Sequence, residues 1–335
     1  MKRMVRYMDK IEIIELENIN REDALKIMIL ELENEIKNSQ YILSRNIKQE
    51  ERQFSIILDN VINNTIGKAI LLNGKLAGFL AFFGPKDNFF GNCKGAFSPL
   101  GYSAFGSSNR EKIASILIEY CIEELYKNGI THMALSRYAN DDEVGRILNL
   151  SSFGMRCSDA IMLVENYKYE SDNKGNKVIR FEILNGKRRL EIQELDQALT
   201  KHLLASPCCF ISKDTDLENL VSDNEKEVIA AYIENDIVGY MTLTHGGETY
   251  LSEYDNVRSI CGCYVKPEFR HMGIAKALLD EVVEHVAKQG YTYLGTDYET
   301  INPTALRFWT KYFAPYTYSY IRRLDERILE RYSLT

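Results

Sequence analysis

One stretch of this chain combines residue types that could do chemistry. It reads Gly262-Cys263-Tyr264-Val265-Lys266-Pro267-Glu268-Phe269-Arg270-His271-Met272-Gly273-Ile274-Ala275-Lys276-Ala277-Leu278-Leu279. A strand pattern ends at Val265, Pro267 cannot continue a ladder, and a short loop then enters a helix at Gly273. The first amides of a helix have no acceptor within it and lie at the positive end of the macrodipole. Such a terminus is an anion site of the kind that holds a pyrophosphate. Gly273 and the small Ala275 let phosphates approach the backbone, while Arg270 and Lys276 can add positive charge.

The elements around this loop appear twice in the chain. In the first half, residues 11–16 alternate as a strand, and residues 22–36 and 50–62 carry helical periodicity. Strands at 68–72 and 76–83 flank Asn73-Gly74, a hairpin turn whose residues tolerate positive φ. A strand near 94–102, a helix at 109–127 stopped by Gly129, a strand at 131–137 and a helix at 141–150 follow. The second half repeats the series: a strand at 189–192, a helix at 196–204, and strands at 228–233, 237–244 and 259–265. A helix at 273–288 stopped by Gly290, a strand at 291–295 and a helix at 303–312 complete it. A shift of 161 positions lays Ile113-Ala114 on Ile274-Ala275, Gly129 on Gly290 and Arg146 on Arg307 without a gap. That register holds through a helix, a turn, a strand and another helix, which predicts a duplication. The expected organisation is a first domain over 1–165, a polar linker at 166–178 and a second domain over 179–335.

Arg-x-x-Gly-x-Ala at Arg270 to Ala275, after a strand with Val-x-Pro-Glu and before an amphipathic helix, resembles motif A of the GNAT N-acetyltransferases. Residues 302–311, Asn-Pro-Thr-Ala-Leu-Arg-Phe-Trp-Thr-Lys, resemble the motif B that follows it, with Asn302 as N-cap and Pro303 at the first helical position. The resemblance covers residue 228 to the C-terminus well and residues 11–164 more faintly. It implies an α/β (α+β) fold of two tandem GNAT units, each a mixed, splayed, mostly antiparallel sheet flanked by helices. It also implies acetyl-CoA as co-substrate, wedged between the strand ending at Val265 and the strand at 291–295. Backbone near Cys263, Tyr264 and Val265 would then pair with pantetheine and the acetyl carbonyl, acting as an oxyanion hole does. Amides from His271 through Met272, Gly273, Ile274 and Ala275 to Lys276 would hold the pyrophosphate. Asn302 would lie near the pantetheine and Phe308 near the thiol end. The reaction implied is direct attack of a substrate amine on the thioester.

Two positions depart from the family pattern. Trp309 stands where many members carry a tyrosine that protonates the leaving thiolate, and indole cannot serve as that acid. Tyr312, Tyr298 or water would have to do so. In the first copy Lys112 replaces Gly273, and Glu111 puts a carboxylate where phosphates belong, so that copy is not expected to bind CoA in the usual way. A base must deprotonate the incoming ammonium. Glu253 and Asp255 before the strand at 259–265 are candidates, as are Asp297 and Glu299 across the splay and His245 in its loop.

Composition narrows the partners. With 45% hydrophobic and 27% charged residues the 335-residue chain is a globular one, long enough for two domains. A net charge of −7 argues against nucleic acid or an anionic membrane surface and is compatible with a cationic substrate. The odd cysteine set (Cys93, Cys121, Cys157, Cys208, Cys209, Cys261, Cys263) reads as reduced thiols of a cytoplasmic protein. Cys261 and Cys263 are expected on one strand face; no zinc-finger spacing surrounds them, and no metal is expected. No signal peptide or membrane-spanning run is read. The aromatics of the first half, such as Phe79, Phe82, Tyr102 and Phe105, are read as core or as a hydrophobic pocket. The expected activity is N-acetyl transfer to a small or amino-acid-like amine, in a monomer made pseudo-dimeric by duplication or in a homodimer. A CoA-binding sensor without turnover, or an enzyme for longer acyl-CoAs, are the alternatives.

Overall fold

The computed structural model describes residues 9–39, 47–89, 93–169, 179–205 and 226–327. The chain divides into two compact units, Met1–Arg156 with Tyr316–Thr335, and Cys157–Pro315. These limits differ from the sequence expectation, which divides the chain between 165 and 179. The difference arises because each unit takes one strand from the other half of the chain.

In the first unit β1 (Ile11–Glu15) pairs antiparallel with β2 (Ile66–Leu72), and β2 with β3 (Lys75–Lys86). Helices α1 (Arg21–Asn38) and α2 (Ile47–Asn64) lie between β1 and β2 in sequence. The β2–β3 turn has Asn73 at φ 53° and Gly74 at φ 81°, the paired positive values of a type I′ hairpin. The single strand expected near 94–102 is two, β4 (Gly95–Ser98) and β5 (Ser103–Phe105). Pro99 has no amide to donate, and Gly101 at φ 90° turns the chain away. Helix α3 (Arg110–Lys127) buries Ile113, Leu117, Cys121 and Leu125, one stripe of its surface. Strand β6 (His132–Tyr138) runs parallel to β4, and helix α4 (Asp142–Leu150) follows it, capped by Asp141 accepting from the Val144 amide. Beyond β6 the sheet is completed by the chain's last described strand, residues 314–323, which pairs antiparallel with β6. Phe79, Phe82, Tyr102 and Phe105 are buried core.

The second unit begins with β7 (Gly154–Leu163) from residue 157 onward. Its other strands are β8 (Ile179–Leu184), β9 (Glu227–Ile233), β10 (Asp236–His245), β11 (Val257–Val265) and β12 (Tyr293–Glu299). They pair in the order β8-β9-β10-β11-β12-β7, antiparallel throughout except for β11 with β12. The first unit has the same arrangement, with β4 and β6 as its parallel pair and the strand at 314–323, β13 (Ala314–Arg323), in the place of β7. Helix α5 (Gln193–Ala205) packs on β11 from one face. Helix α6 (Ile274–Lys288) covers the other, burying Ile274, Leu278, Val282 and Val286 over Ile260, Leu294 and Tyr298. Helix α7 (Pro303–Trp309) follows β12.

Several sequence expectations need correction here. Residues 189–192 are not a strand but part of a 3-10 turn, Gly186–Ile192. The strand is β8, whose alternating Ile-Arg-Phe-Glu-Ile-Leu pairs with β9, and Gly186 at φ 57° ends that run. The strand expected at 291–295 continues to Glu299, because β7 supplies a ladder partner through Cys157. The helix expected at 303–312 ends at Trp309, leaving Tyr312 beyond it. Cys261 and Cys263 do not share a face. A bulge opposite Thr242 and Leu243 shifts the register at Cys261, so Cys261 is exposed while Cys263 packs on the core beneath α6. Cys208, Cys209 and most of the expected linker lie outside the described residues. Among the described residues no helix is long and apolar enough to cross a membrane.

Candidate functional site

The site grows from a divergence of two strands in the second unit. β11 and β12 pair in parallel from Val257↔Tyr293 to Ile260↔Thr296 and no further. Past that point β12 stays with β7, as Asp297↔Asp159 and Glu299↔Cys157, while β11 stays with β10, as Gly262↔Thr242 and Val265↔Gly239. The edge of β11 from the bulge at Cys261 to Val265 therefore turns toward an open wedge. A strand edge that no neighbouring strand covers suits an extended amide-bearing ligand that adds to it like a strand.

The loop at the mouth of the wedge is set by local chemistry. Pro267 opens a 3-10 turn, Pro267–Phe269, and Arg270 donates its Nε to the Val265 carbonyl at 3.0 Å. The Arg270 guanidinium also lies 5.3 Å from the Tyr264 ring centre, so it braces the loop against the strand. His271 and Gly273 follow with φ 63° and 82°. A side chain at Gly273 would meet nothing within 4 Å, so what demands glycine is the left-handed backbone and the open space over it. The helix bond from the Ala277 amide to the Gly273 carbonyl is the first of α6, at 2.9 Å. The amides of Ile274, Ala275 and Lys276 thus point from the helix start without a helical acceptor. His271, Met272 and Gly273 are exposed.

Lys276 binds Asp280 at 2.6 Å, and Asp280 also accepts from the Tyr167 hydroxyl at 2.8 Å. Its ammonium lies 5.1 Å from the Tyr167 ring and 5.8 Å from the Tyr312 ring. Tyr312 stands edge-on to Phe308 at 5.4 Å, which joins the expected thiol-end residue to the start of α6. Asn302 is buried, and its side chain accepts from the amides of Thr304 and Ala305, which caps α7. Trp309 is buried against Phe308 and Phe313.

The expected acid–base residues separate into two groups. Glu253 and Asp255 are exposed in the turn before Val257, and about 16 Å of extended strand separates Val257 from Gly262. They stand at the paired end of β11, away from the wedge. His245 is at that end too, paired with Arg258 in the β10–β11 ladder. Tyr298 is buried on the α6 side of β12. Asp297 alternates to the opposite face, the face on which Gly295 approaches Ser259, and it stands one residue past the last parallel pair. Solvent reaches Asp297, yet protein surrounds it closely. Desolvation, then the carboxylates of Asp159, Glu248 and Glu299, push its carboxyl up to about 7. Cys263 is no nucleophile, because burial pushes its thiol up to about 12.

The sequence reading missed Tyr167, Asp280, Asp159 and Glu248. Tyr167 falls in the stretch read as a linker, and Asp159 in a strand that the reading did not draw. Asp280, four residues after Lys276, was legible as an i,i+4 pair.

Residues 195–314 match the model of the acetyltransferase (GNAT) family. No curated protein is similar enough in sequence to match. A GCN5-related N-acetyltransferase from Sphaerobacter thermophilus is similar in fold, with a TM-score of 0.55 at 12% identity, over 93% of this chain and 95% of that one. So is a fungal multi-domain β-N-acetylglucosaminidase containing a GCN5-related glucosamine N-acetyltransferase region, with a TM-score of 0.54 at 14% identity. That likeness spans 94% of this chain but only 38% of the fungal one. The wedge, the bulge and the helix-start loop all lie inside the matched segment, so residues 195–314 form a domain of the acetyltransferase (GNAT) family and the chain has the GNAT fold in tandem.

Proposed function

We propose that the second unit transfers an acetyl group from acetyl-CoA to the amine of a small molecule. The observation that carries this reading is the wedge, with the free edge of β11 on one side and the amides of the α6 start at its mouth. Pantetheine adds along β11 from Gly262 to Val265, and the pyrophosphate meets the amides from His271 to Lys276. Asp297 accepts the proton of the incoming ammonium, directly or through one water. The free amine then attacks the thioester carbon, and β11 amides hold the carbonyl oxygen as charge develops on it. The C–S bond breaks, the acylated nitrogen gives its second proton to water, and the thiolate takes a proton from Tyr312, which packs on Phe308 and is reprotonated by solvent, or directly from water.

A second reading, CoA binding without turnover, is favoured by one feature. The residue at the family's acid position is Trp309, buried and unable to donate to a thiolate in that way. Thiol release from acetyl-CoA with a panel of small amines separates the two. Release that depends on amine and falls with Asp297→Asn supports transfer, whereas tight CoA binding with no amine-dependent release supports the second reading. Binding that survives Gly273→Glu overturns the cofactor site itself. The same assay with longer acyl-CoAs determines the acyl preference.

A further inference from the structure

The first unit has a counterpart of the wedge, and its own side chains close it. β4 and β6 pair in parallel from Gly95↔His132 to Ser98↔Leu135, and then β5 leaves to pair with β3. Arg137, buried on β6, spans the gap and donates to the Ser103 carbonyl at 2.8 Å and the Ser103 hydroxyl at 3.0 Å. Glu31 of α1 accepts from the Phe105 amide at 3.0 Å, and Arg110 of α3 donates to the Phe105 carbonyl. The groups of β5 that could pair with a pantetheine are therefore already bonded. Glu31 and Asp141 in turn neutralise Arg110 and Arg137.

Beside this network a cleft of about 470 Å³ remains, walled by Leu30, Asn34, Glu35, Phe105, Tyr138 and Asp142 among others. Glu31, Asn34, Glu35 and Asn38 present one face of α1 to it, at the spacing of successive helical turns. Glu35 is only 2% exposed, and it accepts from the Asn140 amide at 3.1 Å and the Asn140 side chain at 2.9 Å. Among the described residues no cation lies within ion-pair distance of it. Both guanidinium groups nearby are taken by Glu31 and Asp141, and the rim adds Asp142 and Glu143. Burial pushes the Glu35 carboxyl up to about 7, against the Asn140 hydrogen bonds and the more distant charge of Arg137, which lower it.

We infer that this cleft binds a small aliphatic ammonium, with Glu35 as its counter-ion and the walls of Leu30 and Tyr138 against its carbon chain. A buried carboxylate lacking a cation is costly, and an ammonium in the cleft supplies what the network does not. An acyl-CoA is excluded by the bonded edge of β5, and an anion by the excess of carboxylates. The site does not depend on the proposed transfer reaction.

Calorimetric titration of the full chain at pH 8 with putrescine, and with 1,4-butanediol as its uncharged counterpart, tests it. Putrescine binding with butanediol at least tenfold weaker is expected. Glu35→Gln, which keeps one acceptor oxygen for Asn140 and removes the charge, should lose one equivalent or weaken it at least tenfold, while Asp297→Asn retains it. Asn34→Lys, at an exposed position on the same helix face, should lower putrescine affinity by placing an ammonium in the cleft, and it decides the matter should Glu35→Gln melt early. No putrescine binding, equal binding of butanediol, or an unchanged isotherm in a folded Glu35→Gln or Asn34→Lys overturns the inference.

Discussion

Asp297 and Asp159 stand directly opposite each other in the antiparallel ladder of β12 and β7, so two carboxylates share one patch of the sheet beside the wedge. Desolvation raises the proton affinity of Asp297 most, and the facing carboxylate of Asp159 raises it further. With its carboxyl near 7, Asp297 holds a proton through the acid range and releases it close to neutrality. The rate of amine acetylation should rise with pH through about 7, and Asp297→Asn should remove that limb and lower kcat on the order of 10²-fold. Acetyl-CoA affinity, measured by calorimetry, should stay as it is.

The same group makes a stability prediction. Its folded value is raised, so the unfolded chain binds fewer protons than the folded one between about pH 4 and 7. Stability from this group is therefore lost as pH rises across that window, and Asp297→Asn should melt higher than the natural chain at pH 8 but not at pH 4. Melting curves at the two pH values check the sign.

Glu35 follows the same rule in the first unit. Its carboxyl, ordinarily near 4.5, is raised to about 7, so its contribution falls as pH climbs between those values. Glu35→Gln should flatten this dependence, so its stability relative to the natural chain should rise from pH 5 to pH 8. Urea titrations at pH 5 and pH 8 measure it.

Gly273 at φ 82° has space for a methyl group but the wrong backbone for one. Gly273→Ala should cost about 1 kcal/mol in stability, through the left-handed conformation rather than any clash. Gly273→Glu should abolish acetyl-CoA binding in a calorimetric titration, because its carboxylate enters the space over the α6 start.

Arg137 is 1% exposed and serves two carboxylates and a strand carbonyl at once. Arg137→Met leaves Glu31 and Asp141 short of a counter-charge and should cost about 3–5 kcal/mol. Arg137→Lys should recover only part of that, since an ammonium lacks the planar fork. Chemical denaturation followed by circular dichroism orders the three proteins.

Much of the loop before α6 was legible in sequence because its residues punctuate. Pro267 stops a ladder, Gly273 takes a left-handed turn, and the apolar stripe after it has helical period. Asn302 and Pro303 announced the start of α7 in the same way. The acid–base residues were less legible, because nearness along the chain is a poor guide to nearness in a sheet. Glu253 and Asp255 adjoin β11 in sequence but lie at its far end. Asp297 was read as just outside its strand, since nothing in residues 293–299 reveals that β7 extends the pairing. The closed wedge of the first unit was visible only as the loss of Gly273's counterpart. The guanidinium of Arg137 doing the closing comes from another element altogether.

The borrowed edge strands have a consequence for how the protein is made. The sheet of the first unit ends in β13, whose Thr317 pairs with Tyr138, and that strand is synthesised after every other described strand. Translation proceeds from the N-terminus, so β6 waits with an open edge until residues 314–323 exist. A C-terminal fragment over 179–335 would lack β7, and one ending at 165 would lack β13. Neither sheet can therefore be closed from its own half of the chain, and cutting between the halves leaves both edges bare.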